Sequence, residues 1–108
     1  MANLIVCCDG TWNTPTQEDH GVPSPTNVVR LHGALAQGDD RGVAQEAYYR
    51  TGVGTTGSWL ARKLGGATGR GLDDDIKSAY FWLCETYRPG DRLFLFGFSR
   101  GAYAARSL

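Results

Sequence analysis

Leu93-Phe94-Leu95-Phe96-Gly97-Phe98-Ser99-Arg100-Gly101-Ala102-Tyr103-Ala104-Ala105 is the stretch that decides the fold. Its apolar run, reached through the turn Pro89-Gly90-Asp91 and ended at Gly97, predicts a core strand. The alanine-rich segment from Ala102 onward predicts a helix. Between them Gly97-Phe98-Ser99-Arg100-Gly101 matches G-x-S-x-G, in the strand–turn–helix setting that a nucleophile elbow requires. In such an elbow the serine occupies a strained backbone position costing about 1–3 kcal/mol. Glycines two residues to either side, Gly97 and Gly101, let strand and helix pass without Cβ clashes. What the strain secures is an exposed Oγ at a helix N-terminus, where the dipole favours developing negative charge. The bland alternative is a motif that merely turns a strand into a helix.

Ser99 needs a general base, normally a histidine oriented by a carboxylate. In the α/β-hydrolase order, acid and histidine follow the serine. Nine residues follow Ser99, and none is Asp, Glu or His. His20 lies in a Pro- and Gly-rich loop and His32 in a helical pattern, so both read as structural or solvated. The catalytic machinery is therefore incomplete in residues 1–108, which are expected to be the N-terminal portion of a single larger catalytic domain, truncated after the elbow.

Working back along the chain, Leu4-Ile5-Val6-Cys7-Cys8 is a continuous apolar run that stops at Asp9-Gly10, as expected of a strand buried on both faces of a parallel sheet. Ligands of such sheets meet the loops at the carboxyl ends of strands. A backbone N–H of the Gly10-Thr11 region could supply half of an oxyanion hole, and the N–H of Arg100 the other half. The side chain of Asp9, in this active-site loop, reads as an Asx turn holding Gly10 and Thr11. Arg100 places a cation in the first turn of a helix, against the macrodipole. A salt bridge to a loop carboxylate such as Asp9 is the expected compensation.

Ser24-Pro25-Thr26-Asn27 predicts the cap of a helix carrying Val28, Val29, Leu31 and Leu35, closed by Gly38. Ala47 to Arg50 is a weaker strand. Leu72 to Tyr87 is the clearest helix, with Ile76, Ala79, Tyr80, Leu83 and Tyr87 forming an apolar stripe. Asp73, Asp74 and Asp75 crowd its start, where carboxylates complement the dipole or cap the helix. Strands alternating with helices predict an α/β fold, a three-layer sandwich around a parallel sheet. The glycine-rich region Thr55 to Gly71 reads as irregular.

The chain has 108 residues, enough for one small core. Its formal net charge is zero, which removes the electrostatic argument for nucleic acid as a partner. No apolar stretch approaches the ~20 residues of a membrane span, and the N-terminus lacks a signal-peptide pattern. Cys7, Cys8 and Cys84 lack C-x-x-C spacing, so buried thiols are expected, with no disulfide framework and no structural metal.

Several motifs occur together and in order: Cys7-Cys8-Asp9-Gly10-Thr11-Trp12-Asn13, Thr26-Asn27-Val28, Tyr49 with Gly52-Val53-Gly54-Thr55, and Gly90-Asp91 leading to Gly97-Phe98-Ser99-Arg100-Gly101-Ala102. With them the chain resembles the type VI secretion phospholipase-effector-like α/β hydrolases, long catalogued as a domain of unknown function. The resemblance implies an α/β-hydrolase fold and a lipase or phospholipase that cleaves carboxylic esters with a Ser-Asp-His triad and no cofactor. Ser99 would be the nucleophile, Gly10-Thr11 would flank the oxyanion site, and the triad acid and histidine would lie beyond residue 108. It also implies that the first strand neighbours the third, that the substrate is a lipid or other ester, and that secretion-system or immunity partners exist, which the residues do not identify. A location in the cytoplasm of the producing cell, with export that needs no signal peptide, fits the same resemblance.

Two other readings compete with the hydrolase. One is a fragment that keeps the serine without a working triad. The other is a dinucleotide-binding unit, because Gly52, Gly54 and Gly57 match G-x-G-x-x-G. The strand before those glycines is the least apolar of the three, and an acid at the end of the second strand is missing. Gly66-Ala67-Thr68-Gly69-Arg70-Gly71 lacks the Lys-Ser/Thr of a P-loop.

Overall fold

The computed structural model describes residues 1–10, 13–51 and 71–108. Its centre is β1 (Ala2–Cys8), with Leu4 through Cys8 all buried. The continuous apolar run requires this, because a strand apolar at every position must be covered on both faces. Its neighbours are β4 (Ala44–Arg50) on one side and β5 (Arg92–Gly97) on the other, both parallel to it. The order β4-β1-β5 thus sets the first long strand beside the last, with Cys8 paired to both Arg50 and Gly97.

Helices cover both faces of β1. Helix α1 (Asn27–Ala34) packs Val28 against Ile5 and Cys7. On the opposite face, α2 (Leu72–Thr86) and α3 (Arg100–Ser107) bring Ala79 and Ala104 onto Val6 and Cys8. The result is an α/β architecture with a parallel sheet between helical layers. Thr26 caps α1 as expected, its side chain accepting from the Val29 N–H at 3.3 Å. That helix closes at Leu35, short of Gly38.

Several details differ from the sequence expectation. The buried face of α2 consists of Leu72, Ile76, Ala79, Trp82 and Leu83, whereas Tyr80 and Tyr87 are exposed. Spacing places Tyr80 on the stripe, but Trp82 turns toward Tyr48 and takes the packing position, with ring centroids 5.4 Å apart. The start of α2 is capped by Gly71 with no side-chain bond, so its aspartates act through the dipole and through one ion pair. The third difference is β5, expected in the core: Leu93, Phe94, Leu95 and Phe96 are 39 to 47% exposed. Its position at the sheet margin leaves one side unpaired among the described residues. A short antiparallel pair, β2 (Glu18–Asp19) and β3 (Val22–Pro23), was not foreseen; it turns at His20-Gly21, both at positive φ as a tight hairpin turn requires.

At the amino ends of the strands a polar cluster closes the sheet. Asp39 accepts from the N–H groups of Arg41 and Val43, each at 2.9 Å, and from Asn3 Nδ2 at 3.1 Å. Arg92 reaches Asn3 Oδ1 at 3.0 Å and Asp39 Oδ2 at 3.4 Å.

Candidate active site

At the carboxyl ends of the same strands the chain folds into a sharp elbow. Ser99 sits between β5 and α3 with φ 58° and ψ −123°, a conformation that L-residues rarely adopt. It occupies the N-cap position of α3 yet makes no side-chain cap bond, so its Oγ is not spent on the helix end. The turn is closed by Gly101 N–H donating to the Phe98 carbonyl at 2.9 Å and Ala102 N–H to the Ser99 carbonyl at 3.0 Å. The Arg100 N–H has no hydrogen-bond partner among the described residues.

The glycines around Ser99 stand where a Cβ has no room. One on Gly97 would collide with the Gly101 carbonyl, and one on Gly101 with the carbonyl oxygens of Cys8 and Asp9. Gly10 is similarly confined, 2.9 Å from the Phe98 ring and 3.0 Å from its carbonyl oxygen, measured from an ideal Cβ. The Phe98 N–H donates to the Cys8 carbonyl at 3.1 Å. Loop 9–10 and the elbow are therefore in direct contact, joined by strand pairing between β1 and β5.

Asp9 does not pair with Arg100. Its Oδ1 accepts from the Gly10 N–H at 3.0 Å, and its Oδ2 from Thr26 Oγ1 at 2.9 Å and Tyr49 Oη at 2.6 Å. With three donors in place the carboxylate already has its charge compensated, so the guanidinium is not drawn to it. Instead Arg100 has its Nη1 buried without a hydrogen-bond partner among the described residues. Of the bonds expected of the Asp9 side chain, the one from the Gly10 N–H is present, and it engages the N–H nominated for the oxyanion site; the Asx turn proper, to the Thr11 N–H, lies outside the described residues. Thr11, the other nominee from this loop, lies outside the described residues, as do Gly52, Gly54 and Gly57 of the dinucleotide reading and most of the glycine-rich region.

Neither histidine contacts Ser99 through a hydrogen bond. His20 Nε2 is 3.5 Å from Asp19 Oδ1 on the exposed hairpin, and the His32 ring lies 5.5 Å from that of Tyr49. Asp75 pairs with Arg50 at 2.8 Å, and its burial pushes the carboxyl up from its ordinary pKa despite that partner. Asp9, Arg50, Asp75, Arg100 and Gly101 surround a cavity of only about 10 Å³, room for one water and too small for a substrate. A wider groove beside Tyr48, Phe81 and Trp82 shares no lining residue with the elbow.

The sequence reading missed Thr26 and Tyr49 as partners of Asp9. Both stand in the motifs that carry the family resemblance, which was the available signal. No solved structure matches the chain at a significant level. Among curated proteins it is similar to an uncharacterized protein of Saccharomyces cerevisiae, 37% identical over 119 residues that take in 98% of this chain. The chain spans 16% of that relative's length. A family model described as the type VI secretion system phospholipase effector Tle1-like catalytic domain matches residues 2–108. The chain belongs to that phospholipase-effector family.

Proposed function

We propose that residues 1–108 carry the nucleophile portion of a serine hydrolase that cleaves carboxylic esters of lipids, built as an α/β-hydrolase. One observation carries this reading: Ser99 is held at φ 58° on a strand-to-helix elbow with its hydroxyl left out of helix capping. Strain of this kind costs about 1–3 kcal/mol and persists where surrounding structure enforces it.

In this reading Ser99 Oγ attacks the acyl carbonyl while a histidine takes its proton, then returns it to the departing alcohol. The resulting acyl-enzyme is released by water through the same steps. The Arg100 N–H, at the first turn of α3, stabilises the oxyanion together with an N–H of the Gly10-Thr11 region. Because Gly10 donates to Asp9, that second donor is assigned to Thr11. Each such donor is worth about 2.7–4 kcal/mol in the transition state. The triad acid and histidine come from sequence beyond residue 108. His20 and His32 are engaged by Asp19 and Tyr49, which favours the reading that these residues alone do not turn over substrate. Export by a type VI system from the cytoplasm of a producing cell follows from the family by analogy.

The test compares the 108-residue chain with a longer version that contains a downstream Asp and His. The short chain should hydrolyse p-nitrophenyl esters and phospholipid vesicles negligibly, since losing the base costs on the order of 10⁶ in turnover. The longer one should be active, and Ser99→Ala should abolish that activity. Activity that survives Ser99→Ala would end the serine mechanism.

A further inference from the structure

Asp9 is a buried carboxylate, 3% exposed, and its three donors come from three different parts of the fold. The Gly10 N–H lies in its own loop, the Thr26 hydroxyl at the start of α1, and the Tyr49 hydroxyl on β4. Thr26 works in both directions, donating to Asp9 while accepting from the Val29 N–H. The Asp9 N–H donates to the Arg50 carbonyl at 3.1 Å. Burial, reinforced by the Asp9 carboxylate, pushes the Tyr49 phenol well above its ordinary pKa, so it remains a donor. On its other side this short segment bounds the elbow: the Cys8 and Asp9 carbonyls abut Gly101, and Gly10 abuts Phe98.

We propose that Tyr49 and Thr26 are positioning residues for the Ser99 site, holding the Asp9 carboxylate and through it the Cys8–Gly10 backbone on which the elbow is seated. The inference rests on the serine-hydrolase reading for its consequence, but its geometry is independent of any triad. The physical reason is that a bond from a neutral donor to a buried carboxylate is short and directional. Removing one hydroxyl leaves the carboxylate under-satisfied, and it will rotate to recover a partner. Rotation releases the Gly10 N–H and lets the peptide planes ahead of Thr11 wander. A misplacement of about 1 Å in such a site can cost ~10²-fold in rate.

The experiment uses the 108-residue chain with Tyr49→Phe, Thr26→Val and Thr26→Ser. Asp39→Asn serves as a control at the other end of β1, about 20 Å away at strand rise. Two readouts are taken: hydrogen exchange of the Gly10 amide by NMR in this chain, and modification of Ser99 by a fluorophosphonate, followed by intact mass, in the longer chain that supplies the downstream Asp and His. Tyr49→Phe and Thr26→Val should speed Gly10 exchange and slow Ser99 modification, each about tenfold, consistent with a sub-ångström shift. Thr26→Ser should restore both, and Asp39→Asn should leave both unchanged even where it lowers the melting temperature. Unchanged Gly10 exchange in both hydroxyl deletions would overturn the inference, as would faster exchange with parental Ser99 modification. If that longer parent is modified no faster than its Ser99→Ala variant, the serine reading itself falls, and the inference loses the site it serves.

Discussion

Gly101 and the Cys8 carbonyl are packed so closely that a Cβ on the glycine would overlap the oxygen. The first turn of α3 is thereby pressed onto the end of β1, next to Ser99. Gly101→Ala must push helix and strand apart. It should lower stability by about 1–3 kcal/mol, the usual cost of overpacking, measured by thermal and urea unfolding. Parental stability would mean that the two elements are free to separate.

Ser99 pays for its conformation, and two substitutions isolate that cost. Ser99→Gly accepts φ 58° freely, so the chain should gain about 1 kcal/mol, the relieved strain less the extra entropy of an unfolded glycine. Ser99→Ala keeps a Cβ and should leave stability nearly unchanged. Equal melting temperatures for the two variants would argue against strain at this position.

The cysteines should divide by reactivity. Burial, aided by nearby negative charge, pushes the Cys7 and Cys8 thiols up to about 11, whereas Cys84 is exposed. Only thiolate reacts with iodoacetamide, so at pH 8 the native chain should take one label, on Cys84, and all three in guanidinium. Native labelling of Cys8 at the Cys84 rate would show that β1 opens.

Acid should weaken the polar end of the sheet. The Val43 N–H bond first, followed by others, holds the Asp39 carboxyl below its ordinary range, and the Arg88 N–H does the same for Asp91. A lowered native pKa means that the unfolded chain binds more protons, so stability rises with pH across that interval. The contribution is complete above the unfolded value of about 3.9 and is lost as pH falls through the lower native value. Asp39→Asn should therefore flatten the stability profile below about pH 4, measured by urea unfolding at stepped pH. A profile as steep as the parent's would remove Asp39 from the account.

What could be read from the sequence divides along physical lines. The burial of β1 was legible because an unbroken apolar run admits one explanation, and the elbow because motif, strand and helix agree. Tyr80 misled because a helical period locates a face without saying which aromatic at its border turns inward; Trp82 won that place through Tyr48. The exposure of β5 could not be read, since its composition is that of a core strand and its place at the margin is a matter of topology. The partners of Asp9 lie 17 and 40 residues away, at Thr26 and Tyr49. Local charge logic instead pointed to the nearest cation in the motif, Arg100. It could not see that hydroxyls would arrive first.

The central place of β1 also has a kinetic consequence. Its neighbours in the sheet are contacted across 42 residues, at Gln45, and across 89, at Arg92. Closing loops of that length precedes any reward from pairing, and folding rates fall as contacts become less local. On a ribosome β1 is made early and stays half covered, by α1 and β4, until β5 and the helices on its other face have been synthesised. The strand at the centre of the sheet is thus begun first and completed last.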